Sequence, residues 1–175
     1  MIRLVCRGVP VTQGSKTGIV VGGRAVVVEG GNKDARQRHK DWRSAVASEA
    51  RAWMNEHRRL TGPIKAPVIV RLTFALNGPA ASKPKHTRWF PSGRQSGDAD
   101  KLARSILDSL TGVVIEDDAQ VVGLLVVKDY GSPAGVTVEI EAAPQTEVYG
   151  DDWTREINWR PAPPPAVALA MPETA

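Results

Sequence analysis

Residues 97–128 read GDADKLARSILDSLTGVVIEDDAQVVGLLVVK, and this stretch decides how the chain folds around its acidic residues. Its first part predicts a helix over 98–111, because apolar side chains recur there at three- and four-residue spacing. Gly112 then suits the position that follows a helix end. The apolar run over 119–128 predicts a buried strand. The stretch therefore predicts a helix that is followed directly by a strand.

The flanking sequence adds one more helix and several strands. A second helix is predicted from Asn32, whose side chain can cap it, to about Glu56. Two β-branched runs around Gly22-Gly23 predict a β-hairpin over 18–29, since a two-residue hairpin turn requires positive φ. Apolar composition or period-two alternation predicts the remaining strands. These strands cover residues 2–9, 68–76 and 136–141.

The character of the sequence changes at Ala143. Residues 1–143 carry the predicted helices and strands and are predicted to form one domain, whereas residues 144–175 predict a mobile Pro-rich tail. Two tryptophans in that tail, Trp153 and Trp159, are candidate contacts for a protein partner. The segment 77–97 has no periodicity, which is typical of a functional or disordered loop.

Composition excludes several classes of protein. The chain has 175 residues and a single cysteine, so it holds no internal disulfide. No apolar run reaches the length of a membrane span, which predicts a soluble cytoplasmic protein. Residues 1–97 hold 18 basic and 5 acidic side chains, a net charge of +13, and residues 98–175 hold 5 and 14, a net charge of −9. The basic portion favours a nucleic-acid partner, with a merely solvated basic surface as the alternative.

Several familiar catalytic patterns are missing from the sequence. It contains no phosphate-binding loop of the GxxxxGK[ST] type, no GxGxxG and no Cys/His zinc spacing. The three histidines, His39, His57 and His86, stand in basic, polar segments. They are therefore predicted to be surface residues and not catalytic bases.

Four carboxylates flank the helix and strand of the opening stretch. Asp98 and Asp100 stand at the helix start, and Asp117 and Asp118 precede the strand. We expect the helix and the following turn to return the chain so that the two pairs meet. Clustered carboxylates repel one another unless a cation binds them, and oxygen ligands without Cys or His favour Mg²⁺ or Mn²⁺. The alternatives are a helix-dipole role, an Asp100–Arg104 pair and a solvated turn.

The same acidic residues belong to a longer pattern. It consists of D-x-D, a basic residue four positions after the second Asp, and D-D-A-Q-V at the opening of a strand; here these are Asp98, Asp100, Arg104 and residues 117–121. In this pattern the chain resembles the RusA-type Holliday junction resolvases, endodeoxyribonucleases common in phages and prophages. The resemblance covers residues 1–143. Many members have Asn at the position of Lys101 and Lys at the position of Arg104.

The resemblance implies a mixed α/β fold with a small mixed β-sheet, a β-hairpin, two main helices and a homodimer. It implies Mg²⁺-dependent cleavage of two opposed strands of a four-way DNA junction, with Mn²⁺ as a substitute, in the cytoplasm of a bacterium or a phage-infected host cell. The implied metal ligands are Asp98, Asp100 and Asp118, supported by Asp117. Arg104 would add positive charge at the reacting phosphate. The implied DNA-binding residues are Lys16, Lys83, Lys85, Arg88, Arg94 and Lys101.

Two other functions fit the same residues. One is a metal-dependent nuclease that acts on other branched DNA, such as flaps or replication forks. The other is a non-catalytic DNA-binding protein in which the acidic cluster is structural. Cleavage of a synthetic junction with and without Mg²⁺ separates all three.

Overall fold

Six strands and two main helices make up the described part of the protein. The computed structural model describes residues 1–14, 16–29, 32–57, 62–78, 90–93 and 96–143. In chain order the elements are β1 (Ile2–Arg7), β2 (Lys16–Val21), β3 (Arg24–Glu29), α1 (Lys33–Glu56), β4 (Val68–Leu76), α2 (Ala99–Leu110), β5 (Val121–Tyr130) and β6 (Gly135–Ala142). These elements confirm the mixed α/β fold. The hairpin lies at β2 and β3, with Gly22 and Gly23 at positive φ in its turn.

A four-stranded mixed sheet forms the centre of the fold, in the order β1-β6-β4-β5. β6 pairs antiparallel with both β1 and β4, whereas β4 and β5 are parallel. A parallel pair requires a crossover connection, and α2 provides the helix of that connection. The stretch 97–128 is therefore the second half of a β-α-β unit.

Both helices pack on one face of this sheet. Alternate side chains of β4, from Val68 to Phe74, point into the hydrophobic core and are fully buried. Trp42 of α1 and Ile106 of α2 cover them. The side chain of Asn32 caps α1 as predicted, with its Oδ1 2.8 Å from the backbone nitrogen of Ala35. Neither described helix is long and apolar enough to cross a membrane.

Strand β5 differs from the prediction. The sequence predicts a buried strand over 119–128, but β5 runs from Val121 to Tyr130 and lies at an edge of the sheet. Val122, Leu124 and Val127 are 63%, 47% and 38% exposed. An apolar run is buried when other elements cover both faces of its strand, but the described helices cover one face of this sheet, and β5 has a described neighbour, β4, on one side only. Strand β5 therefore carries exposed apolar side chains at this edge of the sheet.

The compact unit of the chain covers Met1–Ala143. At its end the backbone nitrogen of Ala143 donates to the carbonyl oxygen of Pro67 at 2.8 Å. The predicted tail over 144–175, with Trp153 and Trp159, lies outside the described residues. Its mobility and its protein partner stay predictions.

Candidate active site at the two ends of helix α2

The first acidic pair lies at the start of α2. Asp98 occupies the N-cap position in an extended conformation, but its side chain accepts no capping hydrogen bond. Its Oδ2 lies instead 2.7 Å from the Nζ of Lys101, one turn into the helix. This hydrogen bond and the charge of Lys101 hold the pKa of Asp98 below its usual value, and Lys128 adds a smaller effect. Asp98 is therefore an anionic group that already has an ammonium partner.

Lys128 on β5 fastens the segment that leads into α2. Its ammonium group donates to the carbonyl oxygen of Gly97 at 2.7 Å and to the hydroxyl of Ser96 at 3.2 Å. Lys128 is not among the predicted site residues; the one signal in the sequence that could have found it is that it is the only charged residue of the apolar run 119–128. The residue positions the backbone immediately before Asp98.

Gly97 is required by the packing at this point. Its φ is +75°, and a Cβ at this position would lie 2.5 Å from the Cγ2 of Thr12. The adjacent backbone nitrogen of Gln13 donates to the carbonyl oxygen of Lys101 at 3.2 Å. The loop that follows β1 is therefore packed against the start of α2, and a larger residue at 97 would separate them.

A groove of about 980 Å³ opens beside this end of α2. Arg7 and Arg38 lie along it, and Ser96 and Gly97 connect it to Asp98. Trp42 also lines the groove, and its buried indole Nε1 has no hydrogen-bond partner among the described residues. The groove brings two arginines to the approach of the first acidic pair.

The second acidic pair lies at the opposite end, before β5. Asp117 caps the short 3₁₀ turn Asp118–Gln120 by accepting from the backbone nitrogen of Ala119 at 2.8 Å. The Oε1 of Gln120 accepts from the backbone nitrogen of Asp117 at 2.9 Å, while its Nε2 donates to the carbonyl oxygens of Ile64 and Ala66. Asp117 and Gln120 thus build the turn, and Asp118 stays exposed in it.

The structure does not bring the two acidic pairs together within one chain. Asp98 lies beside Lys128, and Asp118 lies before Val121, so about seven residues of extended β5 separate them, or roughly 23 Å. The described residues contain no group of three or more His, Cys, Asp or Glu side chains that can hold a metal ion. The expected meeting of the pairs within one chain is therefore wrong, because α2 runs back along β5. The start of α2 lies near the end of β5, and the end of α2 leads into the start of β5. A single chain does not fit a shared metal site.

The other predicted residues fall into two groups. Arg104 is exposed on α2 one turn after Asp100, and Lys101 is paired with Asp98. Lys16 lies on β2, but its side chain is not among those described. The remaining predicted DNA-binding residues, Lys83, Lys85, Arg88 and Arg94, lie outside the described residues. Their roles stay predictions.

Comparison with protein families agrees with this arrangement of elements. The family described as Endodeoxyribonuclease RusA matches residues 22–141, which is more than half of the chain. The chain belongs to the RusA family. Among curated proteins no relative matches the sequence. The family assignment makes the protein an endodeoxyribonuclease of the type that acts on branched DNA junctions.

The region that matches the RusA family includes both acidic pairs and both helices. Within it, the prediction that His39 lies on the surface is wrong. His39 of α1 is 3% exposed, not on the surface. Its Nε2 lies 3.2 Å from the hydroxyl of Ser105 on α2, and the hydroxyl of Ser109 donates to the carbonyl oxygen of Ser105 at 2.7 Å. The residues next to His39 in sequence, Arg38 and Lys40, are exposed, so the local composition hides the burial of the histidine. In this RusA protein the histidine holds the two helices together.

Proposed function

We propose that this protein is a homodimeric, Mg²⁺-dependent resolvase that cuts two opposed strands of a four-way DNA junction. The observation that carries the proposal is the placement of Asp98 and Asp118 at opposite ends of β5. One chain holds two incomplete halves of a carboxylate site. Two chains complete both halves if each contributes the end that the other lacks.

A two-fold axis beside the middle of β5 satisfies this condition. Such an axis sets the start of β5 in one chain beside the end of β5 in the other. Asp118 of the partner subunit then joins Asp98 and Asp100. The exposed apolar side chains of β5, Val122, Leu124 and Val127, supply a surface that a second copy would cover. The same symmetry produces two sites, one for each strand that is cut.

The proposed metal ligands are oxygen donors only, which suits Mg²⁺ and allows Mn²⁺ in its place. When bound, the ion supplies an activated water and neutralises charge on the scissile phosphate. The residues of this chain have the remaining roles. Asp117 and Gln120 hold the turn that presents Asp118, and Lys128 holds the backbone before Asp98. Arg104, one turn after Asp100, places a guanidinium on the same side of the helix as that carboxylate.

Mixing of two inactive variants tests the proposal. Asp98→Asn and Asp118→Asn should each abolish Mg²⁺-dependent nicking of a synthetic four-way junction, and each should bind the junction as well as or better than the wild type, because a negative charge is removed. After subunit exchange, half of the dimers carry one chain of each kind. Each mixed dimer has one intact site, so about a quarter of the wild-type nicking activity should return.

The matched control mixes Asp98→Asn with Asp100→Asn. Both changes affect the same end of the chain, so every site in a mixed dimer stays damaged and activity should not return. A site built within one chain predicts no recovery in either mixture. Absence of recovery in the first mixture, with exchange verified by mass, contradicts the proposal.

Substrate choice requires a separate measurement. Binding and cleavage of a four-way junction should exceed those of flaps, forks and a linear duplex of identical sequence. Equal activity on flaps or forks would favour the broader branched-DNA nuclease. Junction binding without cleavage in Mg²⁺ or Mn²⁺ would favour the non-catalytic DNA-binding protein.

A further inference from the structure

Helix α1 presents a row of positive charges that the proposed active site does not use. Five cations recur at helical spacing along one side of α1, and we call them the basic stripe. They are Lys33, Arg36, Lys40, Arg43 and Arg51. At 100° per residue all five project within about 80° of one another, and from Lys33 to Arg51 they span about 27 Å.

The acidic side chains of α1 lie on a different side of the helix. Asp34, Asp41, Glu49 and Glu56 project about 80–160° around the axis from Lys33. The buried side chains, Trp42 and Val46 among them, separate the two sides across the core. The exposed surface of α1 is therefore divided into one side whose charged residues are all cations and another side where four acidic residues outnumber a single cation, Arg38. A helix that is merely solvated has no need of this division.

Most cations of the basic stripe have no acidic partner within the described part of the chain. Among the residues that the structure describes, Arg43 is the only member of the stripe that forms an ion pair. Its Nη1 lies 3.6 Å from the Oδ2 of Asp108, and its Nη2 donates to the carbonyl oxygen of Asp108 at 3.2 Å. These contacts fix the guanidinium at the junction of α1 and α2. The charges of Lys33, Arg36, Lys40 and Arg51 remain available to a ligand.

A shallow groove runs beside the stripe where α1 meets the end of α2. Its volume is about 430 Å³, and Lys40, Arg43 and Arg51 line it. Two small residues of α1, Ser44 and Ala47, lie between these cations. Small side chains between long basic ones let a phosphate backbone approach the helix closely, where the cations reach it from both sides.

We propose that the basic stripe binds the phosphate backbone of one duplex arm of the DNA substrate. The inference rests on the proposed function, and it adds a surface outside the residues already assigned to DNA. A length of 27 Å corresponds to about eight base pairs of B-form DNA, so a straight row of this length matches a duplex arm. The stripe contributes affinity and orientation without sequence readout, since it offers cations to phosphates and no groups to base edges.

Removal of two stripe charges tests the inference. Lys40→Gln/Arg51→Gln changes two exposed residues at the groove. The matched control is Arg3→Gln/Lys65→Gln, which removes the same charge from two exposed residues outside α1 and outside both grooves. Affinity for a linear duplex and for a four-way junction is measured by fluorescence anisotropy at several salt concentrations. Thermal unfolding verifies that both double variants fold.

We expect Lys40→Gln/Arg51→Gln to weaken binding to both DNAs about tenfold. The plot of log affinity against log salt concentration should become less steep, with the magnitude of its negative slope reduced by about 2. The control should change each quantity by less than half as much. Equal losses in the two double variants would show a general charge effect and overturn the inference, as would an unchanged salt slope in the stripe variant.

The outcome is independent of the catalytic proposal. Binding to a linear duplex needs neither a metal nor a cleavable junction, so a wild-type protein that binds but never cuts still tests the stripe. Conversely, a stripe variant that cuts saturating junction at the wild-type rate leaves the proposed active site intact and confines the defect to binding.

Discussion

The ammonium group of Lys128 on β5 lies 2.7 Å from the carbonyl oxygen of Gly97, the residue that precedes the acidic start of α2. The two residues are 31 positions apart in the chain. The contact links the edge strand of the sheet to the backbone that presents Asp98. It makes Lys128 a positioning residue for the first half of the proposed site.

Substitution of Lys128 by Met should therefore affect activity more than stability. The change keeps the aliphatic volume but removes two hydrogen bonds, which should lower the free energy of unfolding by about 1–2 kcal/mol. Nicking at saturating DNA should fall at least tenfold, because the start of α2 is no longer held. Urea unfolding and single-turnover cleavage measure the two effects. Lys65→Met is the control, since Lys65 is 78% exposed and its ion pair is with Glu116, outside the start of α2. Equal effects of both changes would exclude a positioning role.

Removal of the buried histidine should weaken the contact between α1 and α2. His39→Ala deletes a 3% exposed side chain and leaves the hydroxyl of Ser105 without its histidine partner. We expect a loss of about 2–3 kcal/mol in the free energy of unfolding. Chemical denaturation measures it. A loss below about 0.5 kcal/mol, the size typical of a surface substitution, would show that the buried contact does not stabilise the helix pair.

The single thiol should be unreactive in the native protein. Cys6 is 2% exposed, and its burial, with a smaller contribution from the charge of Glu49, raises its pKa from 9.0 to about 11. At pH 8 a thiol reagent should modify the unfolded chain much faster than the native one.

The raised pKa also predicts a pH dependence of stability. The protonated thiol is favoured in the folded state, so its contribution to stability is complete below pH 9.0 and is lost as the pH rises towards about 11. The difference in unfolding free energy between the wild type and Cys6→Ala should therefore shrink over that range. A constant difference would show that Cys6 ionises equally in both states.

A chain that ends at Ala143 should fold and bind DNA. The last strand ends at Ala142, and the contact of Ala143 with Pro67 completes the pairing beside β4. Circular dichroism, size-exclusion chromatography and the junction assay on residues 1–143 measure this. An insoluble or monomeric product would mean that residues 144–175 contribute to the fold or to the dimer.

Local patterns in the sequence were sufficient to predict the individual helices and strands. The hairpin around Gly22-Gly23, the cap at Asn32 and the alternation from Val68 to Leu76 each depend on residues close in the chain, so their prediction required no knowledge of distant contacts. The D-x-D and D-D-A-Q-V patterns likewise identified the acidic residues and the family.

Distances between those elements were decided only by the tertiary structure. Whether β5 is central or at an edge depends on how many strands lie beside it, and whether His39 is buried depends on where α2 packs. The position of Asp118 relative to Asp98 follows from the direction of α2 and β5, which run back along each other and leave the two acidic pairs at opposite ends. Spacing along the chain determines which residues share an element, but only the packing of elements determines which residues meet in space.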